Sequence, residues 1–171
     1  MEPMRDRAAG PGQYLTFWIA GEEHAIGILR VREIIEYEEV TRVPATPPWI
    51  RGVLNLRGSV VPAIDLAVKL GLPASPVTRR TCIVIVEADL EGEATVMGVI
   101  ADSVSQVVDL AAEDIEPPPG FGTRVHTDYL LGMGKIGRKL ALLLDVDRVL
   151  AAAEILQVSA LGEGAMEEAP A

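Results

Sequence analysis

The chain has 171 residues, 49% hydrophobic and 23% charged, a composition that supports a packed core and not a disordered chain. Fifteen Lys and Arg against 25 Asp and Glu give a formal charge of −10, which argues against a nucleic-acid binder and against a polybasic membrane-surface protein. One cysteine, Cys82, and two histidines, His24 and His126, exclude an internal disulfide and are too scattered for a structural zinc site.

Residues 1–12 are polar and Gly/Pro-rich without an apolar h-region, so they read as a flexible tail and not as a signal peptide. No apolar run approaches the ~18 residues of a membrane span, which points to a cytoplasmic protein with no direct membrane insertion. Gln13–Ala20 alternates as a strand does. It turns at Gly21-Glu22-Glu23 and returns as His24–Ile28, a hairpin. Leu29–Ile35 reads as one or two helical turns, and 35–43 as extended. After Pro44, Pro47 and Pro48, Ile50–Leu56 and Ser59–Ile64 form a second hairpin about Arg57-Gly58. Asp65 then caps a short helix, Leu66–Leu70, by accepting free amide hydrogens of its first turn. The stretch 72–78, with Pro73 and Pro76, reads as a linker.

The second half opens with the β-branched run Thr81–Glu87, a polar turn over Asp89–Glu93, and Thr95–Ala101. Val104–Val108 alternates and leads to a helical turn near Ala111–Asp114, and Pro117–Gly120 breaks the pattern. Tyr129–Ile136 and Lys139–Leu144 form a last hairpin about Gly137. A helix follows from Asp145, with Val146, Val149, Leu150, Ala153 and Leu156 on one stripe. Gly52, Asp65, Leu66 and Leu70 recur 80 residues on as Gly132, Asp145, Val146 and Leu150, and Gly27-Ile28 and Gly98-Val99 hold like places. This predicts two similar small β-barrels: 13–78 and 79–144, then a helix over 145–157 and an acidic tail over 158–171.

Chemical motifs are sparse. Gly132–Gly137 spells G-x-G-x-x-G, but a strand follows it where a dinucleotide site needs a helix. No serine lies in a G-x-S-x-G elbow. His24 and His126 read as surface histidines, Cys82 as a packing residue, and Asp65 and Asp145 as helix caps. No coherent catalytic site, metal site or cofactor site assembles, so the chain reads as a non-enzyme without a cofactor. What stands out is the run from Trp49 to Gly58, where Arg51, Asn55 and Arg57 flank a hairpin in an acidic chain. An exposed guanidinium beside apolar neighbours is a common component of protein interfaces.

The run Trp49–Leu66 resembles the signature of the CheW family of chemotaxis coupling proteins. Ile28–Ile35, Thr41-Arg42-Val43-Pro44 with Pro47, Gly98–Val104 and Tyr129–Gly134 are similar to further family blocks in the same order, so the resemblance covers about residues 13–157. It implies an all-β fold with short helices: two five-stranded Src-homology-3-like barrels with a groove between them, plus a C-terminal helix. It further implies an adaptor that joins the cytoplasmic tips of chemoreceptors to the regulatory domain of the histidine kinase CheA, in arrays at the membrane. By motif, receptor-facing positions would be Val31 and Glu33 in the helical block, then Arg51, Gly52 and Arg57, with Val104 and Val107 lining the same groove. Kinase-facing positions would be Tyr37 to Val40 and the junction around Cys82, with Phe121 in a second kinase contact. Ala67 stands where many members carry arginine, and Cys82 where valine is common. A CheW-like scaffold in a non-flagellar pathway, and a small-ligand-binding double barrel, are the alternatives.

Overall fold

The computed structural model describes residues 10–90, 92–118 and 129–149. Eleven strands and two short helices run in the order β1 (Gly12–Ile19), β2 (Glu22–Gly27), β3 (Val31–Glu36), β4 (Ile50–Leu56), β5 (Ser59–Asp65), α1 (Leu66–Lys69), β6 (Cys82–Leu90), β7 (Glu93–Ala101), β8 (Ser103–Leu110), β9 (Ile115–Glu116), β10 (Leu130–Ile136), β11 (Lys139–Leu144) and α2 (Val146–Val149). They form a five-stranded sheet, β3-β6-β7-β5-β4, and a six-stranded one, β8-β1-β2-β11-β10-β9. Each curls into a small Src-homology-3-like barrel. Thr41, beyond β3, bridges to Val53 and closes the first, and β9 pairs with β10 to close the second.

Sheet membership departs from the expected division at 78/79. The first barrel is built from residues 31–101. The second takes β1 and β2 from the start of the chain and β8 to β11 from its end. The repeat itself is present, since hairpin, single strand, hairpin and short helix occur twice in order. Each barrel combines the leading hairpin of one repeat with the trailing strands of the other, because β5 pairs in parallel with β7 and β11 in parallel with β2. The stretch 72–78 is therefore a loop against the first barrel and joins no two domains.

The equivalence of the trailing halves is close. β4 and β10 share one burial pattern, alternating in and out, with a bulge at Ile50/Gly52 in one and at Leu130/Gly132 in the other. The Asp65 amide donates to the Trp49 carbonyl at 2.7 Å, and the Asp145 amide to the Tyr129 carbonyl at 2.9 Å. Both aspartates cap as expected. Asp65 Oδ1 accepts from the Val68 amide at 3.5 Å, and Asp145 Oδ1 from the amides of Asp147 and Arg148 at 3.1 and 3.3 Å.

Three apolar clusters follow from this topology. Leu54, Val61, Ala63, Ile83, Ile85 and Ile100 fill the first barrel, and Tyr14, Ala25, Leu110, Ala141 and Leu143 the second. The largest lies between the barrels, where Leu15, Phe17 and Ile19 of β1 meet Val84, Val86, Met97 and Val99 of β6 and β7, with Leu142, Leu144 and Val146. Across the same junction the Lys69 ammonium sits 4.2 Å from the Trp49 ring centroid and 6.0 Å from that of Tyr129, a cation between two repeat-equivalent aromatics.

Local expectations fare unevenly. The helical reading of 29–35 holds only for a 3₁₀ turn at Ile28–Arg30; Val31–Glu36 is a strand whose residues alternate between half-buried and exposed. Val31, Ile34 and Ile35, all β-branched, favour that outcome. The turn expected over Asp89–Glu93 is shorter, since strand pairing continues to Leu90 and Glu93. His24 is fully buried and not a surface histidine. G-x-G-x-x-G spans β10 and its tight turn into β11, as expected of a hairpin. Phe121, His126, residues 1–9 of the expected N-terminal tail, residues 150–157 of the expected helix and the acidic tail over 158–171 lie outside the described residues; the last residues of the N-terminal tail are described, and β1 already begins there, at Gly12.

Candidate functional site

The expected contact residues gather at the two ends of the first barrel and along the seam between the barrels. At one end the β4–β5 hairpin closes through Arg57-Gly58, with φ of 53° and 90°. Positive φ at both central residues is the pattern of a type I′ turn, whose twist matches the flanking strands. Asn55 Oδ1 secures it by accepting from the Gly58 amide at 2.8 Å. The turn holds Arg57 out, with its side chain 72% exposed, and its guanidinium meets Glu33 on β3 in a two-pronged pair at 2.5 and 2.8 Å. These two hydrogen bonds hold the Glu33 carboxyl below the usual carboxylate range. The pair rims an open cleft of about 460 Å³ that also touches Leu56, Val61, Ile85 and Val96.

The outer strands β3 and β8 flank the seam between the barrels. Ile34 pairs with Val84 and Val107 with Leu15, so both lie on strand faces that continue the shared core. They remain 43% and 49% exposed. Val31 and Val104 pack onto the core beneath. Cys82, at the start of β6, spans the junction: burial raises its thiol pKa, the Glu36 carboxylate raises it further, and a hydrogen bond from the Val104 backbone opposes both. An apolar strip along a seam, next to an exposed charge pair, is suited to receiving a helix or strand of another protein.

At the other end, Tyr37 and Val40 pack against the filling of the first barrel. The Tyr37 amide donates to the Thr81 carbonyl at 3.2 Å, which sets Tyr37 beside Cys82. Arg51 and Gly52 belong here too, apart from Glu33 and Arg57. Arg51 donates to Asp65 Oδ2 at 2.6 Å and reaches the Tyr37 hydroxyl at 3.4 Å. Gly52 lies so close to Thr41 that a Cβ would stand 2.4 Å from its carbonyl oxygen. The sequence brought forward neither Ile34, the exposed partner in the seam, nor Ser75, which meets Arg51 from a distant loop; periodicity marks apolar spacing, but not which strand forms an edge.

Among the described residues no group of three or more His, Cys, Asp and Glu side chains could hold a metal ion, and no helix is long and apolar enough to cross a membrane.

Fold and surface thus define a pair of Src-homology-3-like barrels that present strand edges and barrel ends. A family model described as a CheW-like domain matches residues 13–154. The chain is 38% identical over 146 residues to chemotaxis protein CheW of Klebsiella aerogenes, covering 85% of this chain and 86% of that one. It is 35% identical over 138 residues to chemotaxis protein CheW of Bacillus subtilis, covering 80% and 85%. The crystal structure of the scaffolding protein TtCheW from Thermoanaerobacter tengcongensis superposes with a TM-score of 0.75 at 30% identity, covering 85% of this chain and 98% of that one. This chain belongs to the CheW-like family of chemotaxis scaffolding proteins.

Proposed function

We propose that the chain is a non-enzymatic adaptor that couples the cytoplasmic tips of chemoreceptors to the histidine kinase CheA, working in the cytoplasm and reaching the membrane through its partners. The separation of the two surfaces carries this reading. The seam between β3 and β8, with Val31, Glu33, Val104 and Val107 and the neighbouring Arg57, takes the receptor's helical tip. Burial of apolar surface supplies the attraction and the Glu33–Arg57 pair sets register. The far end of the first barrel, with Tyr37, Val40 and Cys82, takes the kinase's regulatory domain. With Glu33 and Arg57 at one end of the first barrel and Tyr37 and Val40 at the other, both partners can bind at once, and open interfaces of modest size give affinities of about micromolar.

Arg57→Glu sets a second carboxylate against Glu33 and should weaken binding to a receptor tip about tenfold while leaving kinase binding unchanged. Cys82→Lys should weaken kinase binding by a similar factor. Titration calorimetry with each isolated partner checks both, and an Arg57→Glu chain that still binds receptor at full affinity would reject the assignment of that end.

A further inference from the structure

Arg51 carries more of this architecture than its expected receptor-facing role suggests. Its guanidinium turns into the end of the first barrel, half-buried, and one of its nitrogens, Nη2, meets both the Asp65 carboxylate at 2.6 Å and the Ser75 carbonyl at 3.0 Å. The Ser75 amide closes the triangle by donating to Asp65 Oδ2 at 3.2 Å. A carboxylate as buried as that of Asp65 needs such partners, and the planar fork of arginine serves several acceptors at once.

What the triangle holds is the loop between α1 and β6, which has no regular structure of its own over residues 73–78. The loop has a second anchor. Thr81 Oγ1 accepts from the Thr78 amide at 2.8 Å and donates to the Pro76 carbonyl at 3.4 Å, while the Thr81 carbonyl accepts from the Tyr37 amide. Between the anchors Val77 stands 52% exposed. A pinned loop that holds an apolar side chain in water, on the barrel end that bears Tyr37, Val40 and Cys82, is shaped for contact. Exposure there has no folding rationale, since the barrel is already filled without it.

We infer that Arg51 is a positioning residue for the kinase-facing end: acting through Ser75 and Tyr37, it fixes the 72–81 loop so that Val77 forms part of the surface that docks the kinase's regulatory domain. This rests on the function proposed above. It moves Arg51 from the receptor-facing group to the opposite surface.

The test uses the full chain, titrated separately with the kinase's regulatory domain and with a receptor tip. Val77→Asp changes an exposed loop residue and should weaken kinase binding about tenfold with receptor binding unchanged. Arg51→Lys keeps the charge against Asp65 but cannot reach all three acceptors. It should weaken kinase binding several-fold and speed amide hydrogen exchange within 72–81, a local loosening that a general loss of stability would not confine to one loop. Tyr37→Ala serves as the control for the docking end itself. If Tyr37→Ala weakens kinase binding and Val77→Asp does not, the loop inference is overturned while the proposed function stands. If neither has an effect, the kinase does not dock at this end and both readings are overturned.

Discussion

Protonating His24 would put a charge inside the wall of the second barrel. Its ring is fully buried and stacks on Phe17, with centroids 6.0 Å apart. Nδ1 lies 3.0 Å from the Glu22 carbonyl, while Nε2 has no hydrogen-bond partner. Burial pushes the pKa down to about 4, against smaller upward pulls from that carbonyl and from the Asp102 carboxylate. The unfolded chain takes up this proton near pH 6.5 and the folded chain only near 4, so acid favours unfolding across that window. Stability is intact above pH 6.5, falls as pH drops toward 4, and loses about 3 kcal/mol from this group. His24→Phe should flatten the decline between pH 6.5 and 4 in urea titrations; an unchanged slope would assign the acid sensitivity elsewhere. The sequence hides this histidine's burial for a physical reason. β2 is a central strand with the barrel filling on one face and the shared core on the other, and Glu23 to Ile26 are buried in succession. Alternation marks strands with one wet face and fails for those with none. Arg57 was legible for the opposite reason: beside a glycine at a two-residue turn, a side chain has only solvent to enter.

Among the elements, β4 and β10 obey the same constraint at the same place. The Thr41 carbonyl accepts from the Val53 amide at 2.8 Å and the Thr41 amide returns the bond to Val53 at 2.8 Å, which draws the two backbones against Gly52. Gly132 meets the Glu116 carbonyl in the same manner, with 2.6 Å left for a Cβ. In both cases the obstacle is main chain, which cannot rotate aside. Gly52→Ala and Gly132→Ala should each cost about 2–3 kcal/mol, read as a lowered urea midpoint with an unchanged slope. An alanine accommodated at either site without loss would mean that the closing strand is free to move. This equivalence was visible in the sequence, because glycine, hairpin and capping aspartate recur 80 residues apart. β3 was not. Six residues bear too few turns of either period to separate strand from helix, and the residue types do not follow the burial, since charged Glu33 takes a half-buried place while apolar Ile34 faces out.

For the molecule as a whole, the barrels are joined by their largest cluster of buried apolar residues, with Phe17 and Ile19 from one against Val84 and Val86 from the other. Separating them would expose that cluster on both sides, so the chain should unfold in one cooperative step, with calorimetric and van't Hoff enthalpies equal. Two resolved transitions would show that the barrels are independent units. The exchange of hairpins between repeats was beyond the reach of sequence reading. Local pattern marks where strands lie, but the parallel pairs β5 with β7 and β2 with β11 join segments separated by whole elements. That exchange also decides how the molecule can be handled. β1 leads the described chain in the barrel that encloses residues 31–101 as an insertion, so a fluorescent reporter or surface tether attached upstream of residue 12 hangs from the second barrel and leaves the first clear. By contrast α2 lies against β6, with the Asp147 carboxylate accepting from Arg30 and from the Asp89 amide, and a graft attached downstream of 149 follows a helix packed on the first barrel.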